Sequence, residues 1–376
     1  MMLATRAGDR SLLGRWWWSI DRCTLIAVML LAAVGAILTM AAGPSAAQRI
    51  GLAPMHFVQH QFLFLVPALA VLFGVSLLSP KNVRRLGVLG FAIGFVLLVS
   101  TVLLGSDVKG ATRWITLAGI TIQPSEFVKP CLAVTAAWML SLAREKPEVP
   151  GRLIAALLYV GVCGLLVLQP DFGMTMVAAV IGFVQFFLAG LPLILVLLAI
   201  ALLLGVAFGA YTLLPHVAER IDRYLDPSTG DTYQVDVSLR ALQSGGLLGR
   251  GPGEGSVKNL LPDSHTDFVF AVAGEELGLL VCLGIVALFG FVVLRGFSRA
   301  FKDSSLFVVL AVSGLLTQFG LQALVNMGVT LQLLPAKGMT LPFISYGGSS
   351  LIATALAIGM VLALTRERPQ DWRPMP

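Results

Sequence analysis

Residues 244–278 read SGGLLGRGPGEGSVKNLLPDSHTDFVFAVAGEELG, with six glycines between Gly245 and Gly255. Leu261-Pro262-Asp263-Ser264-His265-Thr266-Asp267 follows, and the chain then enters an apolar run that carries Gly274-Glu275-Glu276. Polarity set directly beside so much oil needs a reason, and the rest of the chain says what the oil is. Of 376 residues, 57% are hydrophobic and 12% charged, against roughly 25% charged in an ordinary soluble domain.

This composition describes an all-α integral membrane protein. A bilayer core of about 30 Å takes about 20 apolar residues at about 1.5 Å rise per residue. Ten such runs can be marked, at 23–43, 58–78, 86–105, 126–143, 153–169, 174–190, 191–213, 267–294, 305–329 and 346–365. They are continuous, whereas a β-barrel would show short alternating segments. Lys and Arg number 16 on the N-terminus, alternate loops and tail, and nine on the opposite side. The positive-inside rule therefore places both termini in the cytoplasm. The expected organisation is a cytoplasmic segment 1–22, one ten-helix membrane domain 23–365 and a cytoplasmic tail 366–376. A large extracytoplasmic loop, 214–266, joins helices seven and eight. The net charge of +6 is mostly this topology signal, which argues against nucleic-acid binding.

Several local features have ordinary explanations. Cys23, Cys131, Cys163 and Cys282 lie in or beside apolar runs without CxxC spacing, so they read as packing residues rather than disulfide or metal ligands. His56 and His60 have no His or Cys neighbours in sequence to complete a metal site. Trp16-Trp17-Trp18 reads as an interfacial anchor. Gly249–Gly255 lacks the Walker spacing and a preceding strand, leaving a flexible backbone able to approach a ligand closely. Residues 216–225 alternate apolar and charged positions at helical spacing, as in a helix lying on the membrane surface.

Other features are less easily explained. Pro124, Ser125 and Glu126 suit a helix start, but Lys129 then sits within an apolar run, where ionisable groups are functional candidates by default. Asp171 reads as a turn initiator. A helix from Thr266 to Arg295 would align Asp267, Ala271, Gly274, Glu275 and Gly278 along one small, acidic stripe. Ser264-x-x-Asp267 also matches a capping box, which would make Asp267 a helix-end residue and nothing more. Leu334–Ser350, rich in Pro and Gly, has the composition of a re-entrant segment.

The extracytoplasmic side thus gathers Lys109, Arg113, Arg220, Arg223, Arg250, Lys258 and Lys337 with Asp171, Glu254, Asp263 and Asp267. Cations at a membrane surface suit a phosphate or diphosphate headgroup, and a partly desolvated carboxylate suits a general base. A lipid-linked diphosphate would use both.

The runs RWITLAGITIQPSEFVK, LQPDFG, GRGPGEGSVKNLLPDSHTDFVFAVAGEELG and NMGVTLQLLPAKGMTLPFISYGGSS resemble the SEDS family of bacterial cell-wall polymerases across nearly the whole chain. Pro335-Ala336-Lys337-Gly338-Met339 and the GEEL after HTDF look like the division branch rather than the elongation branch. The resemblance implies a glycosyltransferase that polymerises lipid II, with undecaprenyl diphosphate as leaving group and Asp267 as the essential carboxylate, acting as general base on the acceptor's 4-hydroxyl. Arg113, Trp114, Lys129, Arg220, Arg223, Lys337, Ser345 and His265 fall on substrate-binding stretches of the family. Lys109-Gly110 departs from the family's usual Asn-Gly. The resemblance further implies a class B penicillin-binding transpeptidase and other divisome membrane proteins as partners, and a place in the bacterial cytoplasmic membrane at the division septum. It specifies no cofactor and leaves a divalent cation open. A lipid II flippase and a non-catalytic divisome scaffold are the rival readings.

Overall fold

The structure, a computed structural model, describes residues 12–104, 106–108, 111–117, 120–192, 233–335 and 338–367, with isolated positions between 193 and 232. Helices α1 (Leu12–Ser19), α2 (Arg22–Arg49), α3 (His56–Ser76) and α4 (Pro80–Leu104) precede a small antiparallel sheet. Its strands are β1 (Ser106–Val108), β2 (Ala111–Leu117) and β3 (Ile120–Ile122), in that spatial order. Helices α5 (Pro124–Glu145), α6 (Gly151–Leu168) and α7 (Phe172–Leu188) follow. After the sparsely described stretch come α8 (Tyr233–Gly245), a 3₁₀ turn (Val257–Leu260), α9 (Val269–Ala300), α10 (Leu306–Thr330) and α11 (Gly348–Leu364).

Among the described residues seven helices are long and apolar enough to cross a membrane, and α7 and α11 are shorter apolar helices. These nine coincide with nine of the ten expected runs; the run 191–213 and the surface helix 216–225 lie largely outside the described residues. The sheet is an addition to the all-α expectation. Its residues are β-branched and aromatic (Thr112, Trp114, Ile115, Thr116, Ile120, Thr121, Ile122), a composition that favours extended backbone.

Over their apolar windows α5 is 78% and α10 67% buried, against 22–28% for α3, α4, α6 and α9, so α5 and α10 are the most interior of the long spans, and the shorter α11 is also mostly buried. Helix α4 reaches α5 through glycines: a Cβ on Gly90 would stand 2.6 Å from Cys131 Sγ, and one on Gly94 2.8 Å from Val128. Close backbone approach of this kind holds helices together where lipid removes the usual hydrophobic drive. Cys131 is buried at this contact.

One end of the bundle gathers both ends of the described chain. Asp21 pairs with Arg295 and Arg299 at 2.7 and 2.9 Å, Arg299 also meets Glu367, and Glu367 N donates to Ser19 O. Trp16 packs inward, its Nε1 donating to Ser76 Oγ at 2.9 Å, while Trp17 and Trp18 stay exposed beside the Arg22 guanidinium. The sheet, the glycine-rich loop and the described residues 331–335 and 338–347 belong to the other end.

Helix α9 departs from expectation twice. It begins at Val269 with Phe268 as N-cap and no side-chain cap bond, so Ser264 and Asp267 do not form the capping box; Ser264 Oγ is buried without a partner. It is also broken at Gly278, whose φ of 80° and ψ of 177° are not helical. A break inside an apolar helix frees backbone groups that lipid cannot satisfy. The glycine loop supplies their partners: Arg250 N and Gly251 N donate to Glu275 O and Glu276 O at 2.9 and 3.0 Å, and Leu279 N donates to Gly246 O at 3.0 Å.

Candidate active site

Asp267 lies in the turn just before α9, held by backbone contacts from three directions. Asn326 Nδ2 on α10 donates to Asp267 O at 2.8 Å and to Met339 O at 2.6 Å. Ser345 Oγ donates to Thr266 O at 2.6 Å and accepts from Leu341 N at 2.7 Å. Tyr346 N donates to His265 O at 2.9 Å. The segment 338–346 is thereby stitched onto 265–267, and Gly338 passes so close that a Cβ there would stand 2.9 Å from Asp267 Oδ2. Glycine at 338 therefore leaves the carboxylate room that a side chain there would take.

His265 stacks on Phe57 at 4.1 Å between ring centroids and tilts against Tyr346 at 5.5 Å. Burial pulls its pKa down to about 4, outweighing the opposing charge of Asp263, so the imidazole is neutral near pH 7. Its Nδ1 is buried without a protein partner.

The glycine-rich loop is anchored by the two glutamates of α9. Glu275 accepts from the backbone N–H groups of Ser256 and Val257 at Oε1 and of Lys258 at Oε2, each at 2.7 Å. Lys258 Nζ pairs with Glu276. The expected acidic stripe is thus divided by role: Glu275, with its neighbour Glu276, is consumed in holding the loop, while Asp267 lies outside the helix.

Arg113 and Lys129 belong to a second cluster. Arg113 on β2 donates from Nη2 to Pro170 O at 2.8 Å and lies 3.5 Å from Asp171 Oδ2, an ion pair without a hydrogen bond. Asp171, read as a turn residue, N-caps α7 by accepting from Met174 N at 3.4 Å. Met174 Sδ in turn accepts from Lys129 Nζ at 2.9 Å, and Lys129 pairs with Glu126 at 3.0 Å. Lys129 is 1% exposed, so its charge is compensated inside the bundle rather than offered at a surface. Trp114 is half-buried on β2 beside Arg113.

Sequence reasoning missed what joins the clusters. Gln318, Gln322, Asn326 and Thr330 recur every fourth residue on α10, all buried. Gln322 Nε2 reaches Glu126 Oε2 at 3.4 Å, one turn from the Asn326 amide that holds Asp267. Four polar residues at helical spacing inside an apolar span are visible in the sequence and carry the same meaning as Lys129. Of the remaining predicted site residues, Arg220, Arg223 and Lys337 lie outside the described residues. Ser345 is placed at the site, but its hydroxyl is engaged in backbone ties on both the donor and the acceptor side. Among the described residues no three His, Cys, Asp or Glu side chains converge as a metal site would require.

A multi-pass helical membrane protein, broken at one helix and carrying an acid under a stitched loop at one end, is the class this architecture defines. The chain belongs to the FtsW/RodA/SpoVE family of cell cycle proteins, whose family model matches residues 21–370. It is 42% identical over 362 residues to a probable peptidoglycan glycosyltransferase FtsW of Caulobacter vibrioides, covering 96% of this chain and 93% of that one. It is 36% identical over 366 residues to the protein of the same name from Coxiella burnetii, covering 93% and 97%. Among solved structures, it matches a chain from work on structural coordination of polymerization and crosslinking by a peptidoglycan synthase complex. The TM-score is 0.76 at 30% identity, covering 93% of this chain and 98% of that one. The rod shape determining protein RodA of Thermus thermophilus matches with a TM-score of 0.68 at 30% identity, covering 93% and 97%.

Proposed function

We propose that this chain is a peptidoglycan glycosyltransferase that polymerises lipid II in the cytoplasmic membrane at the division septum. Membership of the family and the FtsW names of its relatives support the activity and the septal role. The observation that carries the site is Asp267, set before α9 with Gly338 against its carboxylate. On this reading the carboxylate takes the proton from the 4-hydroxyl of the acceptor sugar. That oxygen bonds to the anomeric carbon of the donor glycan, and the bond from that carbon to undecaprenyl diphosphate breaks, its electron pair leaving with the diphosphate. Arg113, in the second cluster and 24% exposed at its side chain, and the cations Arg220, Arg223 and Lys337 would stabilise the charge that develops on the leaving group. Both termini face the cytoplasm, so that the Asp267 end is extracytoplasmic, and the working form is a complex with a class B transpeptidase.

Glycan formation from purified lipid II, measured for the chain with its cognate transpeptidase, tests this. Wild type should make long strands and Asp267→Asn none at equal complex formation. Equal strands from both would remove Asp267 from the chemistry. Absence of strands from wild type, with lipid II crossing liposomes, would favour transport instead.

A further inference from the structure

The Asn326 side chain makes two bonds that meet on the two segments flanking the Asp267 carboxylate. Its amide nitrogen has two hydrogens, and both are used: one on Asp267 O at 2.8 Å, the other on Met339 O at 2.6 Å. Both partners are carbonyls, so only the NH₂ side of the amide can face them, which settles its orientation. Met339 follows Gly338, the residue whose backbone passes the carboxylate. Asn326 is 1% exposed and comes from α10, a mostly buried helix.

We infer that Asn326 is a positioning residue, which sets the separation between the Asp267 carboxylate and the 338–341 backbone and thereby the space in which the acceptor hydroxyl meets its base. This rests on the reading of Asp267 given above. Two carbonyls drawn to one amide cannot drift apart without losing a buried hydrogen bond, and misplacement of a reacting group by about 1 Å can cost about 100-fold in rate. The neighbouring ties, Ser345 to Thr266 and Tyr346 to His265, fix the two segments upstream and downstream, but Asn326 alone bonds residue 267 and the 338–341 strip together among the described contacts.

The test uses the full chain with its transpeptidase partner, purified lipid II, and steady-state kinetics normalised to folded complex. Asn326→Asp keeps the shape and removes both N–H donors, leaving a carboxyl group that can offer one O–H at most. It should lower kcat by about 100-fold while KM for lipid II stays within about 3-fold, the pattern expected when an interaction needed at the transition state is lost. Asn326→Ser, which keeps one donor and is smaller, should fall between that variant and wild type. A purely structural role would reduce the amount of folded complex and leave kcat per folded molecule at the wild-type value; that result, or a rise in KM with kcat unchanged, would overturn the inference. Asp267→Asn is measured in the same assay. If it retains wild-type rate, the assignment of Asp267 itself has failed, an outcome separate from an inactive Asp267→Asn beside a fully active Asn326→Asp.

Discussion

Gly249 and Gly278 meet backbone to backbone: a Cβ on Gly278 would stand 2.3 Å from Gly249 N, and one on Gly249 would stand 2.1 Å from Glu276 O. Both residues also have positive φ, +82° and +80°, a region where a side chain is strained. The contact closes the break in α9 with the loop that precedes it. Gly278→Ala should therefore destabilise by several kcal/mol, about 1–2 from the backbone conformation alone, while Gly284→Ala, where a Cβ meets open space, should not. Thermal unfolding of the detergent-purified variants checks this; equal midpoints for the two would mean the break is not sealed as described.

Glu275 is the second seal. Its carboxylate accepts three backbone N–H groups of the 256–258 turn while wholly buried. Glu275→Ala leaves those donors without their acceptor at about 1–3 kcal/mol each where water cannot replace it. The expected result is a large loss of folded protein, and faster amide exchange at Ser256–Lys258 than at α5. Unchanged exchange there would count against the anchoring role.

The buried pair Lys129 and Glu126 separates stability from function. Lys129→Met alone strands an acid in the bundle and should cost about 3–5 kcal/mol, whereas the double change Glu126→Gln with Lys129→Met should recover most of it. Thermal unfolding reports the first quantity and glycan synthesis the second. If the double variant is stable and active, Lys129 is a packing charge; if it is stable and inactive, Lys129 also serves the substrate. A single variant as stable as wild type would refute the buried pairing.

His265 makes stability depend on pH in a stated direction. Its pKa falls from 6.5 to about 4 because burial disfavours the imidazolium, with Asp263 opposing weakly. Between those values the unfolded chain binds more protons than the folded one. The contribution is therefore fully present above about pH 6.5 and is lost as pH falls toward 4, by at most about 3 kcal/mol. The unfolding midpoint of wild type should drop across this window more steeply than that of His265→Gln; parallel profiles would place the imidazole in solvent.

The membrane spans were legible because hydropathy over twenty residues is a local property, and nine of the ten marked runs are helices. Asp267 and Lys129 were legible as charge next to, or inside, apolar sequence. The capping box was a local inference that failed: the helix starts only at Val269 and the Ser264 hydroxyl caps nothing, while distant elements hold 265–267 through the carbonyls of His265, Thr266 and Asp267. Ser345 shows the same limit from the other side, since a hydroxyl in a family motif gives no sign of whether it faces substrate or backbone.

By itself the sequence determined the class of molecule and nine of the spans, and singled out Asp267 as the candidate acid, because length, hydropathy and charge are written along one dimension. Only the tertiary structure decided which donor meets which acceptor. Gln322 finds Glu126 across 196 residues and Asn326 finds Asp267 across 59. Inside an apolar bundle a buried polar group is costly unless paired, and the partner it finds is the one that helix packing brings to it, a property of neighbouring helices rather than of either segment alone.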